Sequence, residues 1–592
     1  MAQGLGISIT GKGIVCAIGR NAGEVAHTLL HGGTGVGRMQ YLSSAHTELP
    51  VGEVKMSDLE LKAALGVPSC DTVSRTTLLG ALAVRQALAD AGLTADALKG
   101  RRVALLSGTT VGGMDVTERL YTEMLTDDGA LSRARHHDCG SCTADIARLT
   151  GLRDCEVCTV STACSSALNA IMVGAEMLAD GEADVVVAGG AEAMSRFHLN
   201  GFNTLMILDS GACRPFDATR GGLNLGEGAA YVVMERGADA VRTQAYIAGY
   251  ANRCDAYHQT ASSADGEGAF LAMSEALRMA GMSPMEIDYI NAHGTGTPNN
   301  DASESAAIRR VFSNEVPPVS STKGFTGHTT SASGAVEAVI CIMAMRQGFI
   351  PRNEGWHTQD EGCVTPVAET RAADMDSVMC NSFGFGGNDS SMVLCGADRG
   401  GPLRDRKRRG AEKVCVETAA DITIDSEEAM ADIREHIKPM EARRMGRMMK
   451  AATLSAMKAL RAAGTERPDA IVTATAYGML ETSERFLDDM CRNGESLLKP
   501  TLFMQSTHNT IGSGIAIRTG CHGYNITYSQ GADSMAWAMR DARRLIETGQ
   551  ARTVLVEHHD ESTPTVRDFF RRMGAQPPLE VYSRSVVLRA KD

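Results

Sequence analysis

Short apolar runs alternate with stretches of helical spacing along most of the chain. Residues 155–161 (CEVCTVS) are small and β-branched, the pattern of a buried strand. Residues 168–179 (LNAIMVGAEMLA) place apolar side chains at helical spacing among good helix formers. Between them lies Thr162-Ala163-Cys164-Ser165-Ser166-Ala167, so the pattern predicts a sharp strand-to-helix turn with Cys164 at a helix N-terminus. Upstream, residues 6–17 read as a strand entering a glycine turn, and 102–107 as a buried strand closed by Val111-Gly112-Gly113. Residues 74–92 predict a helix, with serine at its start and glycine at its end. Residues 184–188 (DVVVA) predict a strand ending at Gly189-Gly190, and 229–234 another. A second cycle opens with a helix at 270–281 and a strand at 288–291. The alternation predicts a mixed α/β architecture, with sheets covered by helices.

At 592 residues the chain exceeds one ordinary core and divides into roughly three to five structural units. Hydrophobic residues are 43% and charged residues 22%, as in ordinary globular proteins. A net charge of -13 argues against nucleic acid as a partner. The first residues (MAQGLGISITGKGIVCAIG) carry no basic run, and no stretch of about 18 apolar residues occurs. The expectation is therefore a cytoplasmic protein without a signal peptide or membrane insertion. In that setting the 16 cysteines are reduced thiols rather than a disulfide framework. Cys139-x2-Cys142 followed by Cys155-x2-Cys158 has zinc-like spacing. Against zinc, Cys142 begins a helical stretch, and Cys155 and Cys158 fall three apart on a strand, where side chains face opposite sides.

Candidate chemistry gathers at strand ends. The unpaired N–H groups and dipole of a helix N-terminus favour a thiolate at Cys164. The alternative is a buried structural cysteine. The strand at 288–291 runs into Asn291-Ala292-His293-Gly294-Thr295-Gly296-Thr297-Pro298. Val319-Ser320 runs into Ser321-Thr322-Lys323-Gly324-Phe325-Thr326-Gly327-His328. Either histidine alone could be structural. Two of them past strand ends, with a cysteine on a turn, point to a Cys/His activated nucleophile, with histidine able to bond a carbonyl oxygen. Residues 214–228 (RPFDATRGGLNLGEG) form a polar glycine-rich loop, and 381–388 (NSFGFGGN) a further glycine turn.

TACSSA around Cys164, NAHGTGTP around His293, STKGFTGH around Lys323 and His328, and NSFGFGG around Phe385 stand in the order seen in β-ketoacyl-ACP synthases. The resemblance covers residues 6–396. It implies the thiolase fold, a duplicated α/β unit in five α-β-α-β-α layers that is usually dimeric. Degradative thiolases, with Cys-His-Cys, fit less well, because Cys380 is displaced and His328 fills the synthase's second histidine position. Carried over, Cys164 takes an acyl chain from acyl carrier protein. His293 and His328 bond the malonyl thioester carbonyl and promote decarboxylation. The N–H groups of Cys164 and Phe385 form the oxyanion hole. Lys323, paired with Glu337, orders the His328 side. The resemblance implies neither metal nor cofactor, and a 1–250 half carrying the nucleophile followed by a 251–398 half carrying both histidines.

Two departures are informative. Val111 matches an acyl-pocket position often held by isoleucine, so the pocket is widened. GGLNLGEG, GGNDSS after Phe385, and Asp138-Cys139-Gly140-Ser141 are more similar to synthases of aryl polyene and flexirubin pathways than to housekeeping fatty acid synthases. Housekeeping elongation with a merely structural tail is the alternative. Residues 399–413 read as a basic solvated linker, whose cluster Arg404 to Arg409 could attract an acidic carrier protein.

Residues 414–592 repeat the first third. Residues 443–464 match the 74–92 helix, and 469–486 match 102–120. Residues 526–556 align without gaps at a shift of 368, which sets Ala532 opposite Cys164. No counterpart of NAHGTGTP or STKGFTGH follows within these 592 residues. This segment resembles a truncated, inactive ketosynthase-like half similar to chain-length-factor-like partners, and its matched surface is where the family dimerises. The expectation is a homodimer or an intramolecular pseudo-dimer. His558-His559-Asp560-Glu561 is an unconvincing metal site, because adjacent side chains on extended backbone point apart.

Overall fold

The computed structural model describes residues 6–591 apart from 135–136, 238, 314, 398–413 and 444. The basic linker read at 399–413 therefore lies outside the described residues.

The same five-stranded unit occurs three times. In the first, β1 (Ile7–Cys16), β2 (Val103–Gly108), β3 (Glu156–Val160), β4 (Val185–Glu192) and β5 (Gly228–Arg236) take the order β3-β2-β4-β5-β1. β2 pairs parallel with β3 and β4, while β5 pairs antiparallel with β4 and β1. The second unit contains β6 (Ala245–Cys254), β7 (Tyr289–Asn291) and β8 (Val319–Ser320). A separate pair follows, β9 (Phe349–Ile350) with β10 (Arg371–Ala372). β11 (Ser377–Gly384) and β12 (Asn388–Gly396) complete the order β8-β7-β11-β12-β6. The third unit, β13 (Val416–Ile424), β14 (Ala470–Ala474), β15 (Tyr524–Tyr528), β16 (Thr553–Glu561) and β17 (Val581–Ala590), repeats it as β15-β14-β16-β17-β13.

These units join edge to edge. β1 pairs antiparallel with β6, and β15 with β3, giving a continuous run of 15 strands. The first two units fold over two central helices, Ser166–Ala179 and Ser333–Gln347, which pack in one large apolar core. Helix Arg75–Ala91 covers the outer face of the first sheet, and Glu267–Ala280 that of the second. The result is the five-layered α-β-α-β-α thiolase fold that the motifs imply. Ser74 and Gly92 cap the outer helix where the sequence puts its ends. The 184–188 strand runs further than its pattern predicts, through Gly189-Gly190 to Glu192. A Cβ on Gly189 would lie 2.0 Å from the Ala230 carbonyl, so these glycines serve close strand packing rather than a turn.

The third unit docks on the first within the same chain. Ser161 N–H donates to the Thr527 carbonyl and Ser529 N–H to the Thr159 carbonyl, each at 2.9 Å. Helix Ser534–Glu547 is the counterpart of Ser166–Ala179, but the two differ in burial. Every residue from Ser166 to Leu178 is buried, whereas Ser534–Glu547 buries a single stripe that includes Trp537, Ala538, Ala542 and Leu545. The first helix is sandwiched between sheets and is apolar all round; the second has one covered face and a polar one.

A buried ion pair crosses this seam. Arg544, 13% exposed, meets Glu176 at 3.0 Å, and Tyr250 also donates to Glu176 at 2.8 Å. Arg544→Ala takes the cation from two buried carboxylates, Glu176 and, at 2.8 Å, Asp541, and is expected to destabilise docking by about 3 kcal/mol. Calorimetry should then show the 414–592 unit melting early, with Glu176→Gln restoring part of the loss in the double variant. An unchanged single transition would contradict this role.

Candidate active site

Cys164 sits on the turn between β3 and the central helix, as its flanking pattern predicts. Ala163 before it has φ +53°, unusual for a residue with a side chain. That conformation costs energy and persists because its surroundings hold it. Thr162 N–H donates to Ser166 Oγ at 2.8 Å, Ser166 Oγ donates to the Ala163 carbonyl at 2.6 Å, and Ser382 Oγ donates to the Cys164 carbonyl at 3.0 Å. The other two units repeat the elbow, with Thr330 at φ +46° and Gly531 at φ +55°.

The three central residues converge. His328 Nε2 lies 3.1 Å from Cys164 Sγ. The His293 and His328 rings meet edge to face, with centroids 5.3 Å apart. Cys164 Sγ and one nitrogen of each ring all lie within 4.8 Å of one another. Lys323 Nζ donates to the His293 carbonyl at 2.6 Å, lies 3.4 Å from His293 Nδ1 and pairs with Glu337. The lysine thus orders His293, where the sequence reading assigned it to His328. An ammonium facing Nδ1 leaves the neutral His293 ring its proton on Nε2. The cation also makes this corner a receptor for an oxygen or an anion rather than for a second cation.

Electrostatics corrects one expectation. The helix N-terminus does not make Cys164 a resting thiolate. Burial pushes its thiol up to about 11, outweighing the Lys323 charge and the N–H groups of Phe385 and Cys164 that face the sulfur. Burial, then the Lys323 charge, hold His293 and His328 well below the usual imidazole range. The resting pair is a neutral thiol beside a neutral imidazole.

A cavity of about 70 Å³ opens beside Cys164. Val111, Met114, Phe197, Phe202 and Phe385 line it from the first two units, and Tyr477, Leu480, Phe503, Ser506 and His508 from the third. Phe202 stacks on Phe385 with centroids 5.7 Å apart and meets Phe503 at 5.4 Å.

Several residues of the site carry no sequence signal. Glu304 accepts both His293 N–H and Gly294 N–H at 2.8 Å, and burial lifts its carboxyl to about 7. Glu192 accepts from Thr109 Oγ1 at 2.8 Å and Thr110 N–H at 2.7 Å, bracing the loop before Val111. Asp560, its counterpart at the shift of 368, accepts from Thr475 Oγ1 at 2.9 Å and Tyr477 N–H at 3.0 Å. His558 and His559 alternate along β16, where His558 pairs with Asp560 at 3.3 Å and His559 with Glu557 at 2.7 Å. Cys139 and Cys142 share the helix Cys139–Thr150, while Cys155 donates to the Leu152 carbonyl. Ala532, opposite Cys164, is exposed on its turn.

The thiol's high pKa sets a pH signature. Only thiolate alkylates, so iodoacetamide modification of Cys164 should accelerate nearly tenfold per pH unit from pH 7 to 9 without levelling. A plateau below pH 8 would contradict the burial argument.

Comparison with known proteins agrees with this geometry. The chain matches the family description "Beta-ketoacyl synthase, N-terminal domain" over residues 6–240 and "Beta-ketoacyl synthase, C-terminal domain" over 244–357. A second N-terminal-domain description matches residues 417–583. Among curated relatives, the 3-oxoacyl-[acyl-carrier-protein] synthase 2 of Coxiella burnetii is 33% identical over 406 residues, covering 66% of this chain and 98% of the relative. Among solved structures, the ishigamide ketosynthase/chain length factor is 32% identical with TM-score 0.62, covering 67% of this chain and 100% of the other. The PfaC keto synthase–chain length factor shares the fold over 99% of this chain and 78% of its own, with TM-score 0.80 at 16% identity. Among the described residues no helix is long and apolar enough to cross a membrane. The chain belongs to the β-ketoacyl synthase family of acyl-transferring condensing enzymes.

Proposed function

We propose that the protein elongates a carrier-bound acyl chain by decarboxylative condensation with malonyl-ACP, and that residues 414–592 act as an in-chain chain length factor. The carrying observation is the Cys164 Sγ–His328 Nε2 distance of 3.1 Å, with Cys164 also lining a cavity walled by both parts of the chain.

Cys164 attacks the thioester carbonyl of acyl-ACP, and His328 relays the thiol proton to the departing carrier thiol. The N–H groups of Cys164 and Phe385 bond the tetrahedral oxyanion. Malonyl-ACP then binds with its thioester carbonyl against His293 and His328. Its carboxylate leaves as CO2, and the enolate so formed attacks the acyl carbonyl. Collapse of the intermediate expels the Cys164 thiolate, which takes up a proton. Lys323 and Glu337 hold His293 in the donating tautomer. The cycle is ping-pong and needs no metal or cofactor.

The finer reading assigns the acyl chain to a polyene of the aryl polyene or flexirubin type. Its support is the GGLNLGEG and GGNDSS motifs, Val111 at the cavity and the aromatic wall around Phe202 and Phe503. Housekeeping elongation is the second reading, favoured by the identity with 3-oxoacyl-ACP synthase 2. Visible absorbance of the products separates the two. The pseudo-dimer within one chain stands in for the family's homodimer, and acyl carrier protein is the partner.

Intact-mass analysis should find one acyl adduct on wild type and none on Cys164→Ala after incubation with acyl-ACP. Equal acylation of both would remove Cys164 as nucleophile. Leu480→Phe, which narrows the cavity from the third unit, should shorten the longest product while leaving acylation by short donors within about twofold. An unchanged product distribution would reduce residues 414–592 to a structural role.

A further inference from the structure

The loop that carries Phe385 is held from the third unit as well as from its own. Asn388, which ends the loop, is fully buried. Its Oδ1 accepts from Ser165 Oγ and Asn169 Nδ2 at 3.2 Å, and from Asn252 Nδ2 at 2.7 Å. Its Nδ2 donates to the Asn525 carbonyl on β15 at 2.8 Å, and Asn525 N–H donates to Asn252 Oδ1 at 2.8 Å. One residue of β15, through its N–H and its carbonyl, thus closes a buried network that begins at the Cys164 turn.

The loop itself is gripped from the helix Thr510–Thr519. Asn509, just before that helix and 1% exposed, donates through Nδ2 to the Phe385 carbonyl at 2.9 Å. The N–H of the same peptide, on Gly386, donates to the Gln259 carbonyl at 2.7 Å. The Phe385–Gly386 peptide is therefore tied at both ends, once to the second unit and once to the third. Gly386 has φ +83°, and a Cβ there would lie 2.0 Å from Ser513 Oγ, so the helix sits hard against the loop. Fixing this peptide fixes Phe385, whose own N–H faces the Cys164 sulfur.

We propose that Asn509 is a positioning residue for acyl transfer. From the third unit it holds the Phe385 N–H at the place where the oxyanion develops. The residue touches neither substrate nor sulfur and acts through Phe385. The inference rests on the proposed oxyanion role of Phe385. A donor displaced from the oxyanion loses much of its effect, because such stabilisation depends on preorganised geometry.

Alkylation by iodoacetamide uses the Cys164 sulfur but needs no oxyanion hole, whereas acylation by acyl-ACP needs both. The test measures both rates in the full-length chain for wild type, Asn509→Ala and Asn509→Asp. The aspartate keeps the shape and loses the donor. Expected is acylation slowed by about 10- to 100-fold in both variants, with KM for the donor within twofold of wild type and alkylation slowed far less than acylation, because the Phe385 N–H is one of several groups that face the sulfur. Acylation within twofold of wild type would overturn the proposal. So would alkylation that falls in step with acylation, because the loss would then be general disruption. A wild type that takes no acyl group at Cys164 would overturn the reaction itself, and this inference with it.

Discussion

Two backbone hydrogen bonds set the register on which the site depends. Ser161 and Ser529 each donate across the seam where β3 meets β15. Because β3 ends at Val160, that seam lies immediately before the Cys164 turn. Whatever fills the partner position must therefore wall the cavity beside Cys164. Here a third copy of the unit fills it within the same chain. A slip of one residue along this seam would shift the third unit, and with it Leu480, Phe503 and His508, relative to Cys164.

The third unit differs from the first where function and burial differ. Its elbow has glycine where the first has Ala163, so the turn persists without the strain. The carboxylate at the end of the fourth strand is kept, as Glu192 in one copy and Asp560 in the other, because each satisfies the N–H groups of a neighbouring loop. The helix after the elbow has lost its apolar second face. In the first copy that face packs under Ser333–Gln347, and the third copy turns a polar surface outward. The half-unit is thus suited to stand without the second half that a complete synthase carries.

Much of the site was legible in the sequence. Cys164, His293, Lys323, His328 and Phe385 lie in local motifs of small residues, and the strand pattern put each just past a strand end. The repeat at a shift of 368 placed the third unit's β15, elbow and helix to the residue. Long-range partners were not legible. Glu304, Asn252 and Asn509 reach their targets through packing of distant segments, and single polar residues carry no local pattern; Asn388 stands in the NSFGFGGN turn, but its partners lie far away in the sequence. The thiolate expectation failed for a related reason. A helix N-terminus is a local feature, whereas the desolvation that raises Cys164 comes from every layer around it.

On the proposed reading, the acyl chain on Cys164 runs into a wall supplied by residues 477–508 of its own chain. An acyl-ACP donor with a diazirine at the chain end would load Cys164, and irradiation followed by peptide mapping would locate the contact. Mixing isotopically light and heavy protein tells contacts within one chain from contacts between chains. Cross-links are expected to the segment containing Leu480, Phe503 and His508, light to light and heavy to heavy only. Cross-links confined to residues 6–397, or mixed light–heavy pairs, would contradict it.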